Sequence, residues 1–246
     1  TIAIGFAVLG IIIYGSSLQN NFVIWDDDSL VHENPLVQEM SFQTIKGAFS
    51  SYDPELYIPL TILSYQLEHQ FFGFNPVIFH LTNLLLHILC GFLIFLLLRS
   101  FKLPDWIACL LAMLFIAHPI NTETVAWISA RKDVLSSMFI LATLLSFHKY
   151  REKDSNWWYR TSLMLFLCAL LSKVLAVTAP VILLLMYWKD KQKINLQRLV
   201  PFFALSVLFG LIALLGKSEN ISGISFIETV LLWIKGTMFS VWHFFV

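Results

Sequence analysis

Long apolar runs alternate with shorter polar ones along the whole chain, and the run lengths predict helices that cross a membrane. Residues 2–18 carry no charged side chain, close to the roughly 20 residues that a spanning helix requires. No basic flank precedes this run and no small-residue cleavage site follows it, so it reads as an anchor and not a cleaved leader. Residues 79–98 form a second span without Lys, Arg, Asp or Glu. Uncharged runs follow at 106–122, 134–148, 161–172 and 174–188, then at 199–216, and an eighth begins at 224 with Lys235 unexplained inside it. The pattern therefore predicts an all-α polytopic bundle of seven to eight spans.

The longest polar segment is 19–78. Within it, Ser41 followed by Phe42, Ile45, Ala48 and Phe49 has the N-cap and apolar spacing of a short helix lying on a membrane surface. Pro59 to Phe72 predicts a second. Inside the 79–98 span, His80, Asn83 and His87 fall at i, i+3 and i+7 and share one helical face. A polar stripe in lipid faces either a cavity or neighbouring helices, and the sequence leaves both readings open.

Charge orients the bundle. If 106–122, 134–148, 161–172 and 174–188 are separate spans, one side of the membrane receives Arg99, Lys102, Lys149, Arg151, Lys153, Arg160, Lys189, Lys191, Lys193 and Arg198, ten of the 16 basic residues. Basic residues concentrate on the inner side. Reading 161–188 as one helix with Lys173 buried in it would instead put the basic 189–198 segment outside, so that reading is rejected. The 19–78 segment, with Lys46 as its only Lys or Arg against eight acids, lies on the external side.

Composition supports the same class. The chain is 58% hydrophobic and 13% charged, with 22 Phe and 8 Trp and a mean hydropathy of +0.75, whereas soluble domains are about one quarter charged. A net charge of zero points away from nucleic acid and towards lipids or lipid-linked partners. Cys90, Cys109 and Cys168 each sit inside an apolar run and read as packing residues. Asn220-Ile221-Ser222 is a glycosylation sequon on the expected external side.

With this topology one face collects Asp26, Asp27, Asp28, His80, His118, Glu123, Arg131, Lys132, Asp133 and Lys173. If Ile24 to Ser29 is extended, Asp26 and Asp28 point one way and Asp27 the other. A carboxylate can serve as general base towards a hydroxyl. Cations can hold a phosphate and stabilise the charge that develops as it leaves. Together these groups suit transfer from a phosphate-linked lipid donor to a hydroxyl at the water–membrane boundary. Each has a structural reading too: the acidic run as a turn or cap, Arg131 and Asp133 paired with each other or with Glu123, His118-Pro119 as a helix end, and Lys173 reaching to the interface.

The ordered motifs carry a resemblance. Trp25-Asp26-Asp27, Asn34-Pro35, Tyr57-Ile58-Pro59-Leu60-Thr61, Asn75-Pro76, and His80-Leu81-Thr82-Asn83-Leu84-Leu85-Leu86-His87 come first. The block from Phe115-Ile116-Ala117-His118-Pro119 through Thr122-Glu123-Thr124 to Arg131-Lys132-Asp133-Val134-Leu135, and then Leu171-Ser172-Lys173, complete the series. Over about residues 20–190 the chain resembles the membrane part of the TPR-containing O-mannosyltransferases and their bacterial relatives. The resemblance implies a GT-C fold: one transmembrane glycosyltransferase domain over 1–246, a TPR region expected downstream in a longer protein, and a large first external loop carrying short amphipathic helices. It also implies transfer of a hexose, mannose in this family, from a polyprenyl or dolichyl phosphate to a protein Ser or Thr hydroxyl. The setting would be the periplasmic face of a bacterial inner membrane or the luminal face of the endoplasmic reticulum.

By the same resemblance Asp27 or Asp26 is the catalytic base, with Asp27 preferred, and Arg131, Lys132 and Lys173 bind the donor phosphate. His80, Asn83, His118, Glu123 and Asp133 line the cavity. No cofactor is required, although the acids could hold a divalent cation. Two positions depart from the family pattern: Ile58 stands where Arg is usual before Pro-Leu-Thr, and Val174 where an acid is usual after Ser-Lys. The alternatives are a GT-C enzyme acting on a glycan or lipid acceptor, or a non-catalytic scaffold or transporter; internally repeated halves would mark a transporter.

Overall fold

In the computed structural model the described residues are 2–52, 56–189 and 195–217, with a few positions between 231 and 239. The sequon and most of the expected eighth span lie outside them, as do Lys191 and Lys193. Among the described residues the fold is all-α: α1 (Ile2–Tyr14), α2 (Pro35–Gln38), α3 (Phe42–Ser50), α4 (Pro59–Phe72), α5 (Pro76–Ser100), α6 (Asp105–Ala117), α7 (Thr122–Ala126), α8 (Arg131–Lys153), α9 (Asn156–Ser172), α10 (Ala179–Lys189) and α11 (Leu196–Lys217), linked by short 3-10 and π turns. Among the described residues three helical stretches are long and apolar enough to cross a membrane: Ile2–Gln19, Pro76–Ser100 and Leu196–Gly216. A fourth span results if Asp105–Ala117 and Pro119–Ala126, bent by 49°, count as one. The protein is thus an all-α polytopic membrane protein.

Local chemistry explains where the helices start and stop. Asn-Pro opens two of them: the Asn34 side chain accepts from the Leu36 amide at 2.9 Å and the Asn75 side chain from the Val77 amide at 3.1 Å. In both cases Pro fills the first helical position, where its missing N–H costs nothing. Ser41 opens α3 with a reciprocal capping box to Thr44. Asp154, at φ 47°, makes the left-handed turn that folds α9 back along α8. Lys173 is extended (φ −159°, ψ 132°) and interrupts the helix between α9 and the 3-10 turn Val174–Thr178, so 161–188 is not one helix.

Small residues and hydroxyls hold the bundle together, as lipid-embedded helices require when apolar burial does not favour association. Ser136 donates to the Ala169 carbonyl at 3.2 Å and Ser162 to the Thr143 carbonyl at 3.0 Å, joining α8 to α9. At Gly91 an added Cβ would lie 2.6 Å from Ile116 atoms, so α5 and α6 approach closely there. Gly91→Val is expected to cost about 1–3 kcal/mol. Gly5→Val, at a position with nothing within 4 Å, is expected to leave the melting temperature in detergent unchanged. Equal melting temperatures for the two variants would contradict this packing.

Basic residues gather at one end of the bundle. Arg198, at the start of α11, donates to the Asn156 side chain at 2.9 Å and lies over the Tyr159 ring at 4.7 Å. Arg99 sits at the end of α5, and Lys149 near the end of α8. The acidic segment lies at the other end, where α8 begins.

Candidate functional site

Asp26 to Ser29 is not extended. The residues enter a helical turn that continues into a π turn at Asp28–His32, so the expected alternation of Asp26 and Asp28 against Asp27 does not hold. A helical turn separates neighbouring side chains by about 100°, and the three acids occupy three environments. Asp27 is fully buried. Its carboxylate accepts from the Ser129 amide at 2.9 Å, the Ser129 hydroxyl at 2.5 Å and the Val23 amide at 3.0 Å. It therefore ties the segment that follows α1 to the 3-10 turn Ile128–Ala130, about a hundred residues away in sequence. Asp26 has a carboxylate that is 39% exposed and lies 3.7 Å from the Lys132 ammonium. Asp28 is half-buried and begins the π turn, its carbonyl accepting from the Glu33 amide at 2.7 Å.

The basic residues divide in the same way. Lys132, at the mouth of α8 before its apolar stretch, donates to the Ser129 carbonyl at 3.0 Å and sits 5.6 Å from the Trp127 ring. Burial pushes its ammonium below the usual lysine range; the carboxylates of Asp26 and Asp133 oppose that, and Lys173 adds to it. Lys173 is ion-paired with Asp133 across the α8–α9 junction, both partly exposed. Asp26, Asp133 and Lys173, each partly exposed, thus form one cluster of mixed charge around the largely buried Lys132.

Arg131, expected from the sequence among the phosphate-binding cations, lies outside that cluster. Its side chain is fully buried and every guanidinium nitrogen is engaged. Glu68 Oε2 lies 2.6 Å from Nη1, Nε donates to the Asn83 side chain at 2.9 Å, and Nη2 donates to the Phe79 carbonyl at 2.8 Å. The cation also lies over the Tyr65 ring at 4.7 Å. Fully buried and held by these partners, the guanidinium presents no face to solvent. Arg131 instead joins α4, α5 and α8, with Tyr65 donating to the Ile128 carbonyl at 2.9 Å beside it.

The polar stripe on α5 faces other helices. The Asn83 side-chain oxygen accepts a hydrogen bond from Arg131 Nε–H and its amide nitrogen donates to the Trp127 carbonyl at 2.9 Å. His87 Nε2 lies 3.2 Å from the Ile116 carbonyl, with its ring edge-on to Tyr14. His80 is buried and within electrostatic reach of Asp27. His118 is a cap: its Nδ1 accepts from the Ile120 amide at 3.2 Å and opens the 3-10 turn Pro119–Asn121. Glu123 is exposed in the first turn of α7. Two residues of this region were missed from sequence, Glu68 and Ser129. A lone carboxylate in the otherwise uncharged Pro59–Phe72 helix was the available signal for the first. Among the described residues no three His, Cys, Asp or Glu side chains come together as metal ligands.

Fold and cluster define a helical membrane protein with an acid–base array at one end of its bundle. The chain belongs to the dolichyl-phosphate-mannose-protein mannosyltransferase family, whose sequence profile matches residues 59–216. Among curated proteins it is 28% identical to the Protein O-mannosyl-transferase TMTC4 of Homo sapiens over 198 residues, 69% of this chain and 27% of that protein. It is 36% identical to the Tmtc1 protein of Drosophila melanogaster over 122 residues, 49% of this chain and 14% of that one. Human TMTC1 is 31% identical over 185 residues, 67% of this chain and 21% of the relative. The chain therefore spans about a quarter or less of these relatives. No solved structure matches it.

Proposed function

We propose that the protein is a GT-C glycosyltransferase that moves a mannose from a polyprenyl or dolichyl phosphate to a protein Ser or Thr hydroxyl on the luminal or periplasmic face. The observation that carries this is the accessible Asp26 carboxylate 3.7 Å from the Lys132 ammonium, with Asp133 and Lys173 beside them. In the reaction Asp26 takes the proton of the acceptor hydroxyl, whose oxygen forms a bond to the anomeric carbon. The bond from that carbon to the phosphate oxygen breaks, its electron pair leaving with the lipid phosphate. Lys132, with one N–H beyond those directed at the Ser129 carbonyl and the Asp26 carboxylate, and Lys173 hold the charge that develops there. Asp27 does not touch substrate; it fixes the turn that presents Asp26.

The expected result is a gain of one hexose by a Ser- or Thr-containing acceptor peptide, read by mass spectrometry, when the full-length protein in membranes receives polyprenyl-phosphate mannose. An acceptor that stays unmodified while a known member of the family modifies it under the same conditions would contradict the reading. Adding a chelator to the assay reports on any divalent cation.

The Lys132 environment predicts a pH profile. The ammonium holds phosphate below its pKa and loses that hold above it, and burial places that pKa below the ordinary 10.5. With free enzyme, kcat/KM for the donor is expected to fall as pH rises at values where an exposed lysine is still charged. Lys132→Arg, whose guanidinium stays protonated, is expected to move that fall to higher pH. A limb unmoved by this substitution would remove Lys132 from donor binding.

A further inference from the structure

A cavity of about 270 Å³ lies between the far ends of α5 and α8, away from the cluster around Asp26. Its floor is Leu96 and Leu145, and its rim is Arg99, Ser100, His148, Lys149 and Glu152. Lys132 and Lys149 stand 17 positions apart on one helix, about 25 Å at 1.5 Å per residue, which puts the cavity near the opposite boundary of a hydrocarbon core about 30 Å thick. Tryptophans mark the same level: Trp106 and Trp157 are exposed, and Lys149 lies over the Trp158 ring at 4.5 Å. Such rings favour the headgroup zone. An apolar floor under a polar rim at that depth suits an amphiphile.

The rim carries both signs of charge. Arg99 uses Nε for Asp105 at 2.8 Å and its side chain is 49% exposed, leaving the guanidinium fork open. His148 is buried, and neither of its ring nitrogens has a hydrogen-bond partner among the described residues, although Nε2 lies 3.3 Å from Glu152. Glu152 remains half exposed. Arg99 and Lys149 can bind a phosphate, and Glu152 can accept from an ammonium. A purely anionic group would meet Glu152 and Asp105 as like charges. A head group with a phosphate and a primary amine satisfies both halves of the rim.

We propose that this cavity binds the phosphoethanolamine head group of a membrane phospholipid, on the face opposite Asp26. The test is thermal stability of the full-length protein in detergent with added phosphatidylethanolamine, phosphatidylcholine, phosphatidylglycerol or free phosphoethanolamine, together with native mass spectrometry of bound lipid. Phosphatidylethanolamine is expected to bind tightest. Lys149→Gln and Glu152→Gln, both at the rim, are each expected to weaken it about tenfold, the scale of one charge-assisted hydrogen bond. Lys149→Arg keeps the charge and is expected to retain binding, which separates loss of a contact from loss of fold. Equal binding of phosphatidylcholine, which has no amine proton to give Glu152, would overturn the proposal. So would equal binding of free phosphoethanolamine, or full binding by both Gln variants.

Discussion

Arg131→Ala is expected to lower the unfolding free energy by about 3–5 kcal/mol, the cost of leaving a buried charge without its partner. Glu68 would lose the cation 2.6 Å away, and the Asn83 side chain and Phe79 carbonyl would lose their donors in a buried site. Stabilities of 5–15 kcal/mol are typical, so this one change removes much of the margin and is expected to shift melting by roughly 6–20 °C. Arg131→Lys is expected to recover only part, because one ammonium cannot reproduce a fork that serves three acceptors on two helices. Replacing both members, Arg131→Met with Glu68→Leu, is expected to be less damaging than Arg131→Ala, since no unpaired charge remains. Melting of the three variants in one detergent decides the matter. An Arg131→Ala protein as stable as the wild type would show that the ion pair does not organise α4, α5 and α8.

Asp26→Asn is expected to lower kcat by a factor of about 10²–10⁴, the range for loss of a general base, with melting unchanged. The side chain is partly exposed, and Lys132, its charged neighbour, keeps its bond to the Ser129 carbonyl. Asp27→Asn has a different signature. The amide oxygen can still accept from one side, either the Ser129 amide and hydroxyl or the Val23 amide, but its NH2 then faces the donors on the other side, which now meet a carboxylate oxygen. Unmet buried donors cost about 1–3 kcal/mol each, so this variant is expected to lose stability, and activity only through it.

Much of the fold was legible in the sequence because local chemistry dictates it. Asn34-Pro35 and Asn75-Pro76 announce helix starts, Ser41 caps α3, and the Ser172-Lys173 junction breaks a run too charged in its middle to continue. The short helices of the 19–78 segment appear where the apolar spacing placed them.

The site was only half legible, for a reason that also has a physical form. Asp26 and Asp27 are adjacent and alike in sequence, and what separates them is a contact from Ser129, about a hundred residues away. Arg131 and Lys132 differ likewise: the Glu68 that encloses Arg131 lies on another helix, while Lys132, also largely buried, reaches the partly exposed Asp26 carboxylate. Burial of a charge is decided by partners distant in the chain, and no spacing rule within one segment reports it. The His80, Asn83 and His87 stripe was read correctly as one face, yet only the packed helices show that Asn83 and His87 spend their polar atoms on neighbours.

The measurement closest to the central claim sets Asp26→Asn beside Asp27→Asn in the same membrane preparation, with hexose transfer to an acceptor peptide and the melting temperature recorded for each. The account predicts that Asp26→Asn melts as the wild type does and transfers at most about one hundredth as fast, while Asp27→Asn melts lower and keeps turnover in its folded fraction. Undiminished transfer by Asp26→Asn, or a folded Asp27→Asn that has lost all turnover, would contradict it.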